Sequence, residues 1–243
     1  MENEITFNKS LIFKYGTLKH LRNTLINNKL GFSKAGRLND PFEIAHHFYH
    51  SKAYQLVDKR RSFLNEIEIS CFSRNPQEPL MWSHYADKHL GVCYIFDEME
   101  LVTYGLCSDF GDIIYSSHIP NIHFHYPESE ERLEVELKSQ LKPVIFTKSL
   151  VWEYEKEYRI ILNKGIEPIF RSKSLKGVIL GYKTGLFYEK EVLDAVIIAN
   201  KKRDEEIKVY YANLSNEKYE MFITEQPTRT VAENINYINS YTK

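Results

Sequence analysis

The chain is predicted to be α+β, with mixed or antiparallel sheets and flanking helices, on three observations. Short apolar or alternating runs recur along it, bounded by Gly, Pro, Asn and Asp. Segments with apolar residues at helical spacing lie between them. A strand–helix–strand layout near the start recurs around residues 67–96, without residue-level repetition.

Leu11–Tyr15 predicts the first strand. Gly16 breaks it, and Thr17 is placed to cap a helix whose Leu18, Leu21 and Leu25 share one stripe, ending near Asn27 and Asn28. Leu30–Ser33 suits a second strand. Arg37–Glu43 is loop: Asn39 and Asp40 favour turns, and Pro41 biases Asp40 away from helix. Residues 51–66, polar with scattered apolar side chains, predict a surface helix, and Ile67–Ser73 alternates as a strand. Pro79 suits a first helical position, LMWSHYADKH follows, and Gly91 is the expected stop. Val92–Phe96 and Ile113–Tyr115 read as strands. Glu128–Lys142 carries Leu133, Leu137 and Leu141 at helical spacing. Tyr158–Leu162 and Gly177–Leu180 are strands, and Phe187–Asn200 fits an amphipathic helix whose AVIIA end is helix or strand. Ile207–Ala212 and Tyr219–Thr224 predict a closing hairpin or neighbouring strands, before a polar, peripheral tail after Gln226. No Pro/Gly/Ser linker interrupts residues 1–243, which are taken as one domain.

Composition sets limits. With 43% hydrophobic and 27% charged residues, the chain is globular rather than disordered. Thirty-two Lys and Arg against 33 Asp and Glu, a net charge of −1, argue against a broad basic face for duplex DNA. Cys71, Cys93 and Cys107 have no CxxC spacing, which argues against a disulfide framework or zinc knuckle and suits a reducing cytoplasm. Apolar runs are too short to span a bilayer, and Met1–Lys9 has no signal-peptide core. A cytoplasmic protein without membrane association is expected.

Three segments could carry chemistry. Asn39-Asp40-Pro41-Phe42-Glu43 offers two carboxylates and an Asn to a ribose hydroxyl or a metal, or is a turn in which Asp40 ties down backbone N–H groups. Leu80–His89, read on a helix, presents an aromatic platform and the Ser83/His84 pair to a cleft, or is a buried helix whose Trp82 N–H and Tyr85 hydroxyl have found partners. Trp152–Arg159, read as extended, puts Glu153, Glu155, Glu157 and Arg159 on one face. Carboxylates there suit an oxocarbenium ion, or the segment is an exposed edge with an internal Glu–Arg pair. The clusters His46–His47–His50 and His118–His123–His125 lack the Cys or HExxH context of a metal site, so no metal ligand is assigned. No Gly-rich phosphate loop is present.

FKY, LGFS followed by LNDPFE, SCFS followed by LMWSHYADKHLGVCYIF, and K-x-x-x-W-x-Y-E-K-E-Y-R from Lys148 to Arg159 occur in that order, with GVILG later. Over roughly residues 10–220 the chain thereby resembles the bacterial family catalogued as domain of unknown function 2971. Some members of that family resemble abortive-infection proteins acting against phage. A strand, a Thr-opened helix and a short strand are also similar to the start of ADP-ribosyltransferase-like folds, whose site ends in Glu-x-Glu, matched by Glu155-x-Glu157.

That likeness implies an NAD-consuming transferase or glycohydrolase in phage defence or stress response, with NAD as substrate and a nucleotide or macromolecular acceptor. Glu157 would stabilise the ribosyl oxocarbenium and Glu155 would orient the acceptor. His84 and Tyr85 would supply the middle element of the site with Ser83. Trp82 or Tyr85 would stack on nicotinamide, and Lys14 or Arg159 would meet the pyrophosphate. Tyr15, Asn39 and Asp40 complete the expected binding residues. Two alternatives stay open. One is a metal-dependent nuclease with Mg²⁺ on Asp40, Glu43, Glu155 and Glu157, assisted by Lys148 or Lys156. The other is a non-catalytic sensor or partner-binding module. Both enzyme readings require the three segments to converge.

Overall fold

The computed structural model describes residues 4–43, 66–120 and 141–226, with residues 135 and 139. The expected helix over 51–65, most of that over 128–142, five of the clustered histidines (His46, His47, His50, His123 and His125) and the tail from 227 lie outside the described residues. The fold is α+β, with an open mixed sheet and flanking helices.

The strands run in chain order as β1 Leu11–Gly16, β2 Ser33–Lys34, β3 Glu68–Ser73, β4 Val92–Asp97, β5 Cys107–Asp112, β6 Ile114–Ser116, β7 Thr147–Ser149, β8 Glu157–Leu162, β9 Leu175–Leu180, β10 Lys208–Leu214 and β11 Met221–Thr224. The α-helices are α1 Leu21–Leu25, α2 Pro79–Tyr85, α3 Glu98–Val102 and α4 Leu186–Asn200. The chain divides into two compact units: Met1–Gly31 with Phe72–Leu106 and Glu167–Lys243, and Phe32–Cys71 with Cys107–Ile166.

In the first unit β4 is the central strand. It pairs antiparallel with β1 (Phe13↔Ile95) and with β9 (Tyr94↔Val178). Its wholly apolar Val92–Phe96 is buried on both faces, as such a run requires. β9 and β10 are parallel, joined through α4, and β10 turns back into β11, so the expected hairpin forms. The AVIIA segment is helical: Val192, Ala195, Val196 and Ala199 are buried at helical spacing. Thr17 precedes a 3-10 turn at Leu18–His20 and makes no capping bond with its side chain. Pro79 opens α2 as expected, and the Glu78 side chain caps it by accepting from the Leu80 amide. That helix stops at Tyr85, earlier than the apolar pattern suggests. Asp87, Lys88 and His89 take left-handed backbone angles, and Gly91 donates to the Ala86 carbonyl.

The second unit has its own core: Ala35, Ile69, Ile113, Leu141, Val144, Ile145, Phe146 and Ile161. Residues 141–145 are helical. β5 and β8 pair antiparallel, with Gly111 opposite Arg159. β6 and β7 pair parallel, with Tyr115 opposite Lys148 and Ser116 opposite Ser149. The reading of Trp152–Arg159 as extended is corrected. Leu150–Glu155 is a 3-10 helix, Lys156 turns the chain at φ 43°, and the strand starts only at Glu157.

Candidate functional site

The second unit brings two of the three sequence segments together. β7 is three residues long, and its middle residue, Lys148, points inward. Three carboxylates meet its Nζ: Glu155 at 2.5 Å, Glu157 at 3.1 Å and Glu43 at 3.2 Å. The left-handed turn at Lys156 makes this possible. It reverses the chain between Glu155, the last residue of the 3-10 helix, and Glu157, the first of β8, so both carboxylates reach one ammonium. Trp152, four residues after Lys148, lays its ring 5.0 Å from the same Nζ.

Arg159 completes the lattice and is 0% exposed. Its Nε donates to Glu157 Oε1 at 2.6 Å, and Nη2 donates to Glu157 Oε2 at 3.0 Å and to Glu43 Oε1 at 2.9 Å. Nη1 donates to the Ile145 carbonyl. The pair expected on an exposed edge is therefore made, but deep in the interior, where breaking it costs far more. The Tyr115 hydroxyl accepts from the Glu157 amide, and the Cys71 thiol also bonds to Glu157.

Burial works against the charge of Glu43, Lys148, Glu157 and Arg159, and their neighbours decide which of them keep it. Desolvation would raise Glu157, but Arg159 and then Lys148 hold it down to about 2. Desolvation would lower Lys148 and Arg159, but the carboxylates around them raise both. For Glu43 desolvation wins: its carboxyl is pushed up despite Arg159 and Lys148. Tyr115 is pushed up to about 12, chiefly by burial. Glu43 Oε1 receives both Arg159 and Lys148, and Oε2 takes no part in the lattice.

A cavity of about 260 Å³ opens beside this lattice, lined by Asp40, Phe42 and Glu43, by Ser116–Pro120, and by Thr147, Lys148 and Ser149. Asp40 does what its turn predicts: Oδ1 accepts from the Phe42 amide at 2.9 Å. Its Oδ2 and Glu43 Oε2 are buried and have no hydrogen-bond partner among the described residues. A buried polar atom without a partner is costly, so two in residues that line one cavity mark where a ligand's polar groups belong.

Asn39, Asp40, Glu155, Glu157 and Arg159 thus belong to this unit, with Asp40 alone of these lining the cavity. Lys14, Tyr15, Trp82, Ser83, His84 and Tyr85 belong to the first unit. Lys14 sits 5.0 Å from the Phe72 ring, and the Tyr15 hydroxyl donates to the Asn75 carbonyl. Trp82 is fully buried and edge-on to Tyr15, and its Nε1 donates to the Pro76 carbonyl. It has no face left to stack on nicotinamide, so that expectation is corrected in favour of the buried-helix reading. His84 is exposed, and Ser83 and Tyr85 are half-buried. The role of Arg159 at a pyrophosphate is corrected as well, since every nitrogen of its guanidinium is spent inside the lattice.

Sequence reasoning left Glu43 and Lys148 out of its leading site, although both lie in the quoted blocks. The signal was there: an apolar aromatic partner four residues after Lys148, and a Glu directly following Pro41-Phe42. Ser116, Ser117, Ile119, Thr147 and Ser149 carried no signal beyond polar loop. Among the described residues no group of His, Cys, Asp and Glu is arranged to hold a metal ion. Glu43, Glu155 and Glu157 are instead gathered around an ammonium and a guanidinium, which take the place a divalent cation would need. No helix among the described residues is long and apolar enough to cross a membrane.

No curated protein and no solved structure matches the chain. Residues 81–160, about a third of the chain, match the family described as "Protein of unknown function (DUF2971)", a span that holds the WSHYA block and the lattice from Lys148 to Arg159.

Proposed function

We propose that the cavity at Asp40 and Glu43 is the active site of an enzyme that cleaves a ribosyl bond. The supporting observation is two buried carboxylates at one cavity, each with an oxygen that has no partner among the described residues, of which Glu43 favours its proton. Glycosidic cleavage asks for that division: an acid for the leaving group and a carboxylate against the positive charge growing on the sugar carbon. The bond from the anomeric carbon to the leaving group breaks, and its electron pair departs with that group. Glu43 Oε2 gives it a proton, and Asp40 offsets the charge left on the carbon. Water adds there, and its proton returns to Glu43.

This reading keeps the ribosyl chemistry expected of Glu155 and Glu157 and moves it to Glu43 and Asp40. Glu155, Glu157, Lys148 and Arg159 become positioning residues that hold Glu43 in place and set its proton affinity. NAD stands as a substrate to be tried, beside simpler ribosides. The test is chromatography of the base released from NAD and from nucleosides. Glu43→Gln and Asp40→Asn are each expected to lower turnover by about 10²-fold or more while the circular dichroism spectrum is kept. Turnover unchanged in Glu43→Gln overturns the assignment. Binding without turnover in the unsubstituted protein assigns the cavity to a sensor instead.

A further inference from the structure

We infer that the cavity takes ribosides with a free cis-diol and without phosphate. The inference deepens the proposed ribosyl reading and rests on it. The two cations beside the cavity, Lys148 and Arg159, are already engaged. Lys148 Nζ is surrounded by three carboxylates and its side chain is 2% exposed. Arg159 is fully buried and gives all its nitrogens to Glu157, Glu43 and the Ile145 carbonyl. Ser116 Oγ donates to the His118 carbonyl and accepts from the His118 amide. Ser117 Oγ lies 2.9 Å from His118 Nδ1.

Asp40 Oδ2, by contrast, is buried in the wall with no donor among the described residues. A cis-diol supplies donors on one rigid edge to that carboxylate and leaves Glu43 Oε2 to the leaving group. A phosphate supplies negative charge and, near neutral pH, no donor to match, and it would meet Asp40 in a site where water screens little. Size points the same way: about 260 Å³ lies just under the span of roughly 300–1,000 Å³ for whole drug-sized ligands, which suits a nucleoside better than a dinucleotide. Phe42 and Ile119, 59% and 46% exposed, line the same cavity and offer apolar surface to a flat base.

Calorimetric titration of the full chain with adenosine, guanosine, uridine and nicotinamide riboside, and with the 2′-deoxy and 5′-phosphate forms of whichever binds, tests this. At least one riboside is expected to bind. Loss of the 2′-hydroxyl and addition of the 5′-phosphate are each expected to weaken binding about tenfold or more. Phe42→Ala should weaken the riboside while keeping the discrimination against phosphate. Asp40→Asn should weaken the riboside and shrink that discrimination. A 5′-phosphate or NAD binding as tightly as the riboside overturns the inference, as does binding of none of the four. The two proposals fail separately. Diol-selective binding without base release sinks the cleavage reading alone. Release from NAD that needs Glu43, with NAD bound as tightly as any riboside, sinks the diol reading alone.

Discussion

Arg159 grips Glu157 with two nitrogens, Nε at 2.6 Å from Oε1 and Nη2 at 3.0 Å from Oε2, and uses the second of them to reach Glu43 as well. A forked, planar cation suits this; an ammonium is a point charge and cannot grip one carboxylate with two nitrogens. Arg159→Met leaves Glu157 and Glu43 buried against a single cation. It is expected to cost about 3–5 kcal/mol in a urea titration, with Arg159→Lys intermediate. Equal stability of Arg159→Met and the unsubstituted chain would show that the lattice carries no net stabilisation.

The lattice also fixes two pH dependences of opposite sign. Glu157 is held at about 2 against an ordinary 4.5, so its contribution is present above pH 4.5 and lost as pH falls toward 2. That shift corresponds to roughly 3 kcal/mol. Glu43 is raised, so its contribution is present below the ordinary carboxylate value and lost as pH rises through its folded value. Urea midpoints across acid and neutral pH should show Glu157→Gln flattening the acid limb and Glu43→Gln flattening the limb above it. Identical slopes in all three proteins would contradict the assignment of these titrations.

In the first unit two glycines sit hard against neighbouring backbone. A Cβ on Gly91 would stand 2.3 Å from the Gly16 carbonyl oxygen and 2.9 Å from that of Ala86, and one on Gly181 would stand 2.2 Å from the His89 oxygen. These neighbours are backbone and cannot swing aside. Gly91→Ala is therefore expected to cost about 3 kcal/mol or more, whereas Gly31→Ala, with open space around it, should change stability by no more than about 0.5 kcal/mol. Comparable melting temperatures for the two variants would mean that the strand ends are not packed as described.

Much of the fold was legible because apolar runs carry their own period. Val92–Phe96 lies within β4 and Phe187–Asn200 within α4, each within a residue or two of the predicted bounds. The site was less legible, for a physical reason. Alternation along Trp152–Arg159 assumes an unbroken strand, but Glu155 and Glu157 are drawn to one buried ammonium seven and nine residues earlier, and the backbone turns at Lys156 to let both arrive. The two-residue period of a strand does not encode that. Trp82 failed in the opposite way: a buried indole and a ligand-stacking indole present the same helical spacing, and only the Pro76 carbonyl bonded to its Nε1 separates them.

Lys156 makes the last prediction. At φ 43° and ψ 52° it holds a left-handed conformation that costs an L residue roughly 1–2 kcal/mol, and its amide closes the 3-10 helix on the Glu153 carbonyl. Glycine pays no such cost but loses more chain entropy on folding, so Lys156→Gly should gain at most about 1 kcal/mol. A β-branched residue suits that conformation worst. Lys156→Val should lose at least about 1 kcal/mol and, by pulling Glu155 or Glu157 off Lys148, weaken riboside binding at the cavity that Lys148 lines. If Lys156→Val is as stable as the unsubstituted chain and binds as well, the turn is not what gathers the carboxylates. The convergence on Lys148 would then have to come from the strands alone.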